Sequence, residues 1–220
     1  MISLRNLLFV LLITSFAFTA CEKEEDESTD ISNQPTTTDL SGFGNREGTP
    51  SGTAFQLPDN VELTTQIVFS EYYNSSDSIY QQYGVGQIKL LFTINNNNNS
   101  ASTIEFPAGL IFIADTNSAQ DVMTIYPVTI TLPAKGTERV KLMGYCINMY
   151  KNVALANYFT LGVVSNNDQV STLINNLSNI EETILLTDEN LSTLQTIVWD
   201  ISDGDGLSQA DLDTINSWKN

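Results

Sequence analysis

The segment VMTIYPVTITL, residues 122–132, carries the clearest structural signal in the chain and decides its fold class. The segment alternates from Val122 to Leu132, so every second residue faces the same side of an extended chain. Ile125, Pro127, Thr129 and Thr131 interleave with Tyr126, Val128, Ile130 and Leu132. Valine, isoleucine and threonine dominate the segment, and these β-branched residues favour strands over helices. The segment therefore predicts β structure with one face turned toward an apolar core.

Similar segments, rich in β-branched and aromatic residues, recur along the middle of the chain. They span residues 61–69, 86–94, 103–106, 110–114 and 138–143. Turn-forming residues separate them, as in the sequences PAG at 107–109 and PAKG at 133–136. Short strands joined by turns predict an immunoglobulin-like antiparallel β-sandwich over residues 61–144.

The last third of the chain changes from the period of strands to the period of helices. Apolar residues at i, i+3, i+4 and i+7 mark a first helix; they are Val170, Leu173, Ile174 and Leu177. Residues 165–168 predict a capping box before it. Thr187 is expected to begin a second helix, and Ser208 with Asp211 a third. We expect residues 145–220 to form a small helical part packed on the sandwich, giving a mainly β fold with C-terminal helices.

Charge and composition argue against several classes of function. The chain has 26 Asp and Glu against 9 Lys and Arg, a net charge of -17. Nucleic-acid affinity comes largely from basic side chains that neutralise phosphates, so we expect no nucleic-acid partner. The sequence contains no histidine, which removes Ser–His and Cys–His nucleophiles and histidine-ligated metal centres. We therefore expect a non-enzymatic protein without a cofactor.

The first twenty residues have the pattern of an export signal. Arg5 supplies a positive charge, residues 7–17 form an apolar run, and small residues precede Cys21. This run is too short for a typical membrane span. A cysteine placed directly after small residues resembles the lipobox of bacterial lipoproteins. The resemblance implies that residues 1–20 are a signal peptide and that Cys21 carries acyl chains that anchor the protein to a membrane.

The residues that follow Cys21 are first acidic and then polar. The sequence EKEEDE at 22–27 resembles the surface-export signal of lipoproteins from Bacteroidota. The resemblance implies display on the outer face of the outer membrane. Up to residue 60 the chain is rich in Ser, Thr, Asn, Gly and Pro and has little apolar periodicity. Residues 21–60 are therefore expected to form the lipid anchor and an acidic flexible spacer.

Two short motifs resemble the paired motifs of bacterial thioester domains, which occur in surface adhesins. They are YCIN at 145–148 and LQTIVW at 194–199. The resemblance implies that the sulfur of Cys146 and the side chain of Gln195 condense into an internal thioester with loss of ammonia. The residues themselves leave a second interpretation open. Cys146 is also typical of a buried structural thiol, and Gln195 of a side chain that hydrogen-bonds to backbone.

The sequence DGDG at 203–206 indicates a candidate calcium site at Asp203 and Asp205. Alternating carboxylates beside glycine resemble the middle of an EF-hand loop. If Asp203 and Asp205 take positions three and five of such a loop, positions one and twelve fall on Ile201 and Leu212. An EF-hand requires carboxylates at both of these positions. The same residues are also typical of a turn between two helices, with glycines ending one helix and Ser208 beginning the next.

These features together predict an outer-membrane lipoprotein, exposed at the cell surface, that binds a protein or glycan ligand on another surface. An internal thioester would make that attachment covalent. The alternative is a structural or accessory envelope lipoprotein without catalytic or thioester chemistry. Carboxylate-only catalysis is disfavoured, because the sequence shows no pattern of paired acids.

Overall fold

The fold consists of eleven strands followed by four helices in the residues that the structure describes. The computed structural model describes residues 41–70, 78–153, 156 and 158–219; the predicted signal peptide, Cys21 and the first part of the predicted spacer lie outside them. The strands are β1 (Gly52–Ala54), β2 (Val61–Leu63), β3 (Val68–Phe69), β4 (Gln81–Tyr83), β5 (Ile88–Asn96), β6 (Ser102–Phe106), β7 (Leu110–Ala114), β8 (Val122–Met123), β9 (Val128–Leu132), β10 (Thr137–Cys146) and β11 (Phe159–Ser165). The helices are α1 (Asp168–Leu177), α2 (Glu182–Leu185), α3 (Asp188–Ser202) and α4 (Gln209–Ser217).

β10 is the strand around which the large sheet is arranged. It pairs antiparallel with β5 over residues 137–144 and with β8 at its last two residues, while β4 lies parallel to it at 140–142. The large sheet has the strand order β1-β11-β7-β8-β10-β5-β2, with β3 also paired to β5. β6 and β9 form a separate two-stranded antiparallel sheet. The predicted fold class is confirmed: a mainly antiparallel, sandwich-like β structure is followed by small helices.

Two apolar cores lie on opposite faces of the large sheet. Consecutive residues of a strand face opposite sides. Leu110 and Phe112 of β7 therefore pack in a core between the two sheets, whereas Ile111 packs in a core under the helices. Tyr145 of β10 and Val198 of α3 belong to this helix-side core. Coverage of both faces explains why the sequence of β7, LIFIA, is continuously apolar instead of alternating.

Two of the three predicted helix starts are confirmed. The hydroxyl of Thr187 caps α3, and Ser208 with Asp211 forms the capping box of α4. The capping box predicted at residues 165–168 is wrong, because the side chain that caps α1 is that of Asn167. α2 was not predicted, since four residues are too few to show a helical period. Among the described residues, none of these helices has both the length and the hydrophobicity that a transmembrane span requires.

The alternating segment 122–132 forms two strands where the sequence predicts continuous β structure. After β8, Thr124 is still bonded to the start of β7, because its N–H donates to the Leu110 carbonyl at 2.9 Å. Its hydroxyl donates to the carbonyl of Pro107 at 2.8 Å. Pro127 has no N–H to offer to a ladder, and β9 starts at the next residue. The segment thereby passes from the large sheet to the two-stranded sheet. A further strand, β11, lies inside residues 145–220, which the sequence predicts as helical.

Residues 41–54 belong to the folded part, although the sequence predicts a spacer up to residue 60. Phe43 is 1% exposed and lies in the helix-side core. The side-chain amide of Asn148 donates to the carbonyls of Gly42 and Gly44 at 3.1 and 2.8 Å. β1 then pairs antiparallel with β11 and extends the large sheet by one strand. Composition did not reveal this segment, because all of these contacts are with residues distant in sequence.

Candidate functional site

Cys146 is the last residue of β10, and only 4% of its surface is exposed. Val122 of β8 lies opposite it in the sheet. Burial removes water from the thiol and raises the pKa of Cys146 from its ordinary value of 9.0 to about 12. At neutral pH the sulfur is therefore a protonated thiol, which is a poor nucleophile.

The side chain of Gln195 makes two hydrogen bonds to the backbone of Cys146. Its Oε1 accepts from the Cys146 N–H at 3.0 Å, and its Nε2 donates to the Cys146 carbonyl at 2.9 Å. We call this pair of hydrogen bonds the α3–β10 bridge. The structure thus places side by side the two residues that the sequence motifs indicated. Both polar atoms of the buried amide find partners, which avoids the cost of burying them unpaired.

The α3–β10 bridge occupies a place where the β5 edge of β10 has no neighbouring strand. β5 pairs with β10 only as far as Gly144, which lies opposite Ile88. β8 pairs with the other edge of β10 at Cys146. On the β5 side, the amide of Gln195 supplies the donor and the acceptor that a further strand would have supplied. The observed geometry is that of an unreacted amide that holds α3 against the sheet.

Asp203 lies at the C-cap of α3, where its carboxylate bonds to protein groups. Its Oδ2 accepts hydrogen bonds from Ser202 Oγ at 2.7 Å and from the Met149 N–H at 3.0 Å. Asp205, the second residue of the predicted calcium site, is exposed. Within the described ranges, no group of three or more histidine, cysteine or carboxylate side chains could hold a metal ion. These contacts favour the turn interpretation of the sequence DGDG.

Asn148 has a structural role that the sequence did not indicate. Besides its bonds to the N-terminal segment, its Oδ1 accepts from the Asp121 N–H at 2.8 Å. Asp121 Oδ1 in turn accepts from the Ala114 N–H at 2.8 Å. Burial raises the pKa of Asp121, with that backbone hydrogen bond and Lys151 acting in the opposite direction. Asn148 and Asp121 are therefore held by hydrogen bonds to the backbone of other segments.

A cavity of about 400 Å³ lies between α1 and one end of the two-stranded sheet. Three separated parts of the chain form its walls: the end of β6 with the turn after it, the connection from β8 to β9, and the end of α1. Most of the lining is apolar and buried or half-buried: Phe106, Pro107, Ala108, Ile125, Tyr126, Val128, Ile174 and Leu177. The volume falls in the range of small-molecule sites, which begins at about 300 Å³. We call this space the α1 cavity.

The polar residues of the α1 cavity lie at its exposed rim. They are Glu105, Thr129 and Ser178. Glu105 and Thr129 are directly opposite each other in β6 and β9. A second cavity of about 200 Å³ shares residues 127–129 with the first and has Glu182 in its lining. Neither lining contains a lysine or an arginine.

Comparisons of the chain with protein-family models, with curated proteins and with solved structures found no match. The α1 cavity had no signal in the sequence, since its lining comes from segments that are far apart in the chain and carry no shared motif. Only the topology brings residues 105–108, 125–129 and 174–178 together.

Proposed function

We propose that the chain is an exported, lipid-anchored binding protein that holds its ligand in the α1 cavity. The observation that carries this proposal is the cavity itself: an apolar space of about 400 Å³ with a polar rim, open to a ligand from outside. Binding sites for small molecules and for side chains of partners commonly combine apolar walls with a few polar groups. The predicted binding role is thus assigned to the α1 cavity.

The walls of the α1 cavity are held in place by hydrogen bonds that do not involve a ligand. The N–H of Gly109 donates to the Thr124 carbonyl at 2.6 Å, and its carbonyl accepts from the Ser165 N–H at 2.9 Å. Gly109 has φ +84°, a conformation that favours glycine, and an added Cβ would lie 3.3 Å from Cδ1 of Ile174. A preformed wall loses little conformational freedom when a ligand enters.

Binding fits the lining of the α1 cavity better than catalysis does. Its one carboxylate is that of Glu105, and its hydroxyl groups belong to Thr129, Tyr126 and Ser178. Activating a serine or threonine requires a base within hydrogen-bond reach, usually a histidine, and the sequence has none. The cavity therefore offers recognition by shape, apolar contact and charge.

Tryptophan at position 129 is expected to block the α1 cavity. The neutral dye N-phenyl-1-naphthylamine should bind the purified chain, and Thr129→Trp should weaken that binding at least about tenfold because the indole fills the rim. Fluorescence titration measures both affinities. Thr131→Trp is the matched control, since Thr131 is exposed on the same strand but does not line the cavity. Equal binding by both variants, or no binding at all, would favour the structural or accessory lipoprotein.

The lipid anchor and surface display rest on the sequence pattern around Cys21, which lies outside the described residues. In whole cells, Cys21→Ser is expected to shift the protein from the membrane fraction to the soluble fraction, because the acyl chains are its proposed attachment. Protease added to intact cells should digest the wild-type protein. Protection in intact cells, followed by digestion after lysis, would contradict outward display.

A second candidate function is covalent attachment through a thioester. The α3–β10 bridge favours this candidate in one respect: it puts the amide of Gln195 in contact with Cys146. In the reaction, a bond would form between the cysteine Sγ and the glutamine Cδ, the Cδ–Nε2 bond would break, and the nitrogen would leave as ammonia. An amine on a target would then displace the thiol and form an amide.

Intact-mass measurement distinguishes the two states of the Cys146–Gln195 pair. We expect the mass of the purified chain to show no loss of ammonia, because the raised pKa of the thiol and the two backbone hydrogen bonds favour the unreacted pair. After unfolding, the Cys146 thiol should then titrate fully. A mass lower by one ammonia, restored in Cys146→Ala, would establish the thioester instead.

A further inference from the structure

We infer that the α1 cavity selects ligands in which an apolar chain ends in a positively charged group. This inference rests on the proposed function, since it names the chemical class of ligand for the same site. An apolar chain suits the interior, where the half-buried residues Pro107, Ala108 and Ile174 line the wall. A positive charge suits the rim for three separate reasons.

The first reason is an uncompensated carboxylate at the rim. Glu105 is exposed and lines the cavity, and within the described ranges no hydrogen bond or ion pair engages its side chain. A cationic ligand would therefore gain this carboxylate as a partner without displacing an internal one. Because β6 holds Glu105 opposite Thr129 in a regular ladder, the position of its backbone is fixed.

The second reason is the charge around the rim. Residues 127–129 line both the α1 cavity and the second cavity. Glu105 lines the first of these cavities and Glu182 the second, so each cavity has an acidic side chain in its lining. No lysine or arginine lines either cavity to compensate them. The chain as a whole has 26 acidic against 9 basic residues, which adds to a negative potential that attracts cations and repels anions.

The third reason is an aromatic ring in the wall. Tyr126 is half-buried and packs against the helix-side core while also lining the α1 cavity. The face of an aromatic ring attracts a cation and offers nothing comparable to a carboxylate. A ligand that places its apolar part inside would bring its head group to the rim, where Glu105 lies.

Three probes that share one alkyl chain test the inference: hexylammonium, hexanol and hexanoate. Each is titrated against the wild-type chain at low salt, by displacement of the dye or by calorimetry. We expect hexylammonium to bind about two- to fivefold more tightly than hexanol, the range of an exposed ion pair, and hexanoate to bind more weakly than both. Raising the salt concentration should reduce the advantage of the ammonium group, because the carboxylate is exposed.

Two neutralising variants assign the preference to the rim. Glu105→Gln should lose most of the preference for hexylammonium over hexanol. Glu47→Gln should keep that preference, since Glu47 is equally exposed but does not line the cavity. Equal affinity for hexanol and hexylammonium in the wild type would overturn the inference and leave the cavity as a binding site. Absence of binding by all three probes would overturn the proposed site itself, and the inference with it.

Discussion

Replacing Phe43 by alanine is expected to lower the free energy of unfolding by about 3–5 kcal/mol, the range of a buried phenylalanine truncated to alanine. Phe43 is 1% exposed and packs in the helix-side core, so its removal leaves a cavity there. Gly42 and Gly44, which flank it, hold this turn through positive φ angles of 74° and 61°. Urea unfolding followed by circular dichroism measures the change.

Thr49→Ala is the matched control for Phe43→Ala. Thr49 lies in the same segment but is exposed, so its truncation should change the free energy of unfolding by less than about 0.5 kcal/mol. If Phe43→Ala behaves like this control, residues 41–54 would belong to the flexible spacer that the sequence predicts. The result therefore decides where the tether ends and the folded part begins.

The second large effect is expected at Gln195. Gln195→Met keeps the approximate shape of the side chain but removes both bonds of the α3–β10 bridge, leaving the N–H and carbonyl of Cys146 buried without partners. Each unpaired buried group costs about 1–3 kcal/mol, so we expect a total loss of about 2–6 kcal/mol in the free energy of unfolding. Thr196→Met, at an exposed neighbouring position on α3, should have little effect.

A double-mutant cycle with Cys146→Ala tests whether the interaction is with the backbone or with the sulfur. The α3–β10 bridge uses only backbone atoms of Cys146, which alanine retains. The cost of Gln195→Met should therefore be nearly the same in the wild type and in Cys146→Ala. If the two substitutions instead remove the same interaction, so that the second costs nothing after the first, a bond to the sulfur would be indicated.

The parts of the fold that were predictable are those with a local signal. Alternation and β-branched residues predicted the region of β5 to β10, and the capping residues Thr187 and Ser208 marked the starts of α3 and α4. β1 and β4 were not predicted, because each has only three residues and becomes a strand by pairing with β11 or β10. Phe43 was missed for a related reason: a single aromatic residue among glycines and threonines has no period to detect.

Of the features described as candidate sites, only the Cys146–Gln195 pair was predictable, because each residue lies in a motif that resembles one of a pair. The sequence suggested a relation between Cys146 and Gln195, and the structure places them in contact, although through backbone hydrogen bonds. The α1 cavity could not be predicted, because its rim residue Glu105 and its wall residues Ile125 and Ile174 meet only through the pairing of β6 with β9 and the packing of α1. Each of these residues, taken alone, is an ordinary strand or helix residue.

The most direct measurement of the central claim, that the α1 cavity is a ligand site, is an NMR titration of isoleucine and leucine methyl groups with hexylammonium. The methyl resonances of Ile125, Ile174 and Leu177 should shift together and saturate, because these side chains line the cavity. The resonances of Ile94, in the core between the sheets, should remain unchanged. Unchanged resonances of the cavity residues at saturating probe, or shifts confined to other parts of the chain, would contradict the account.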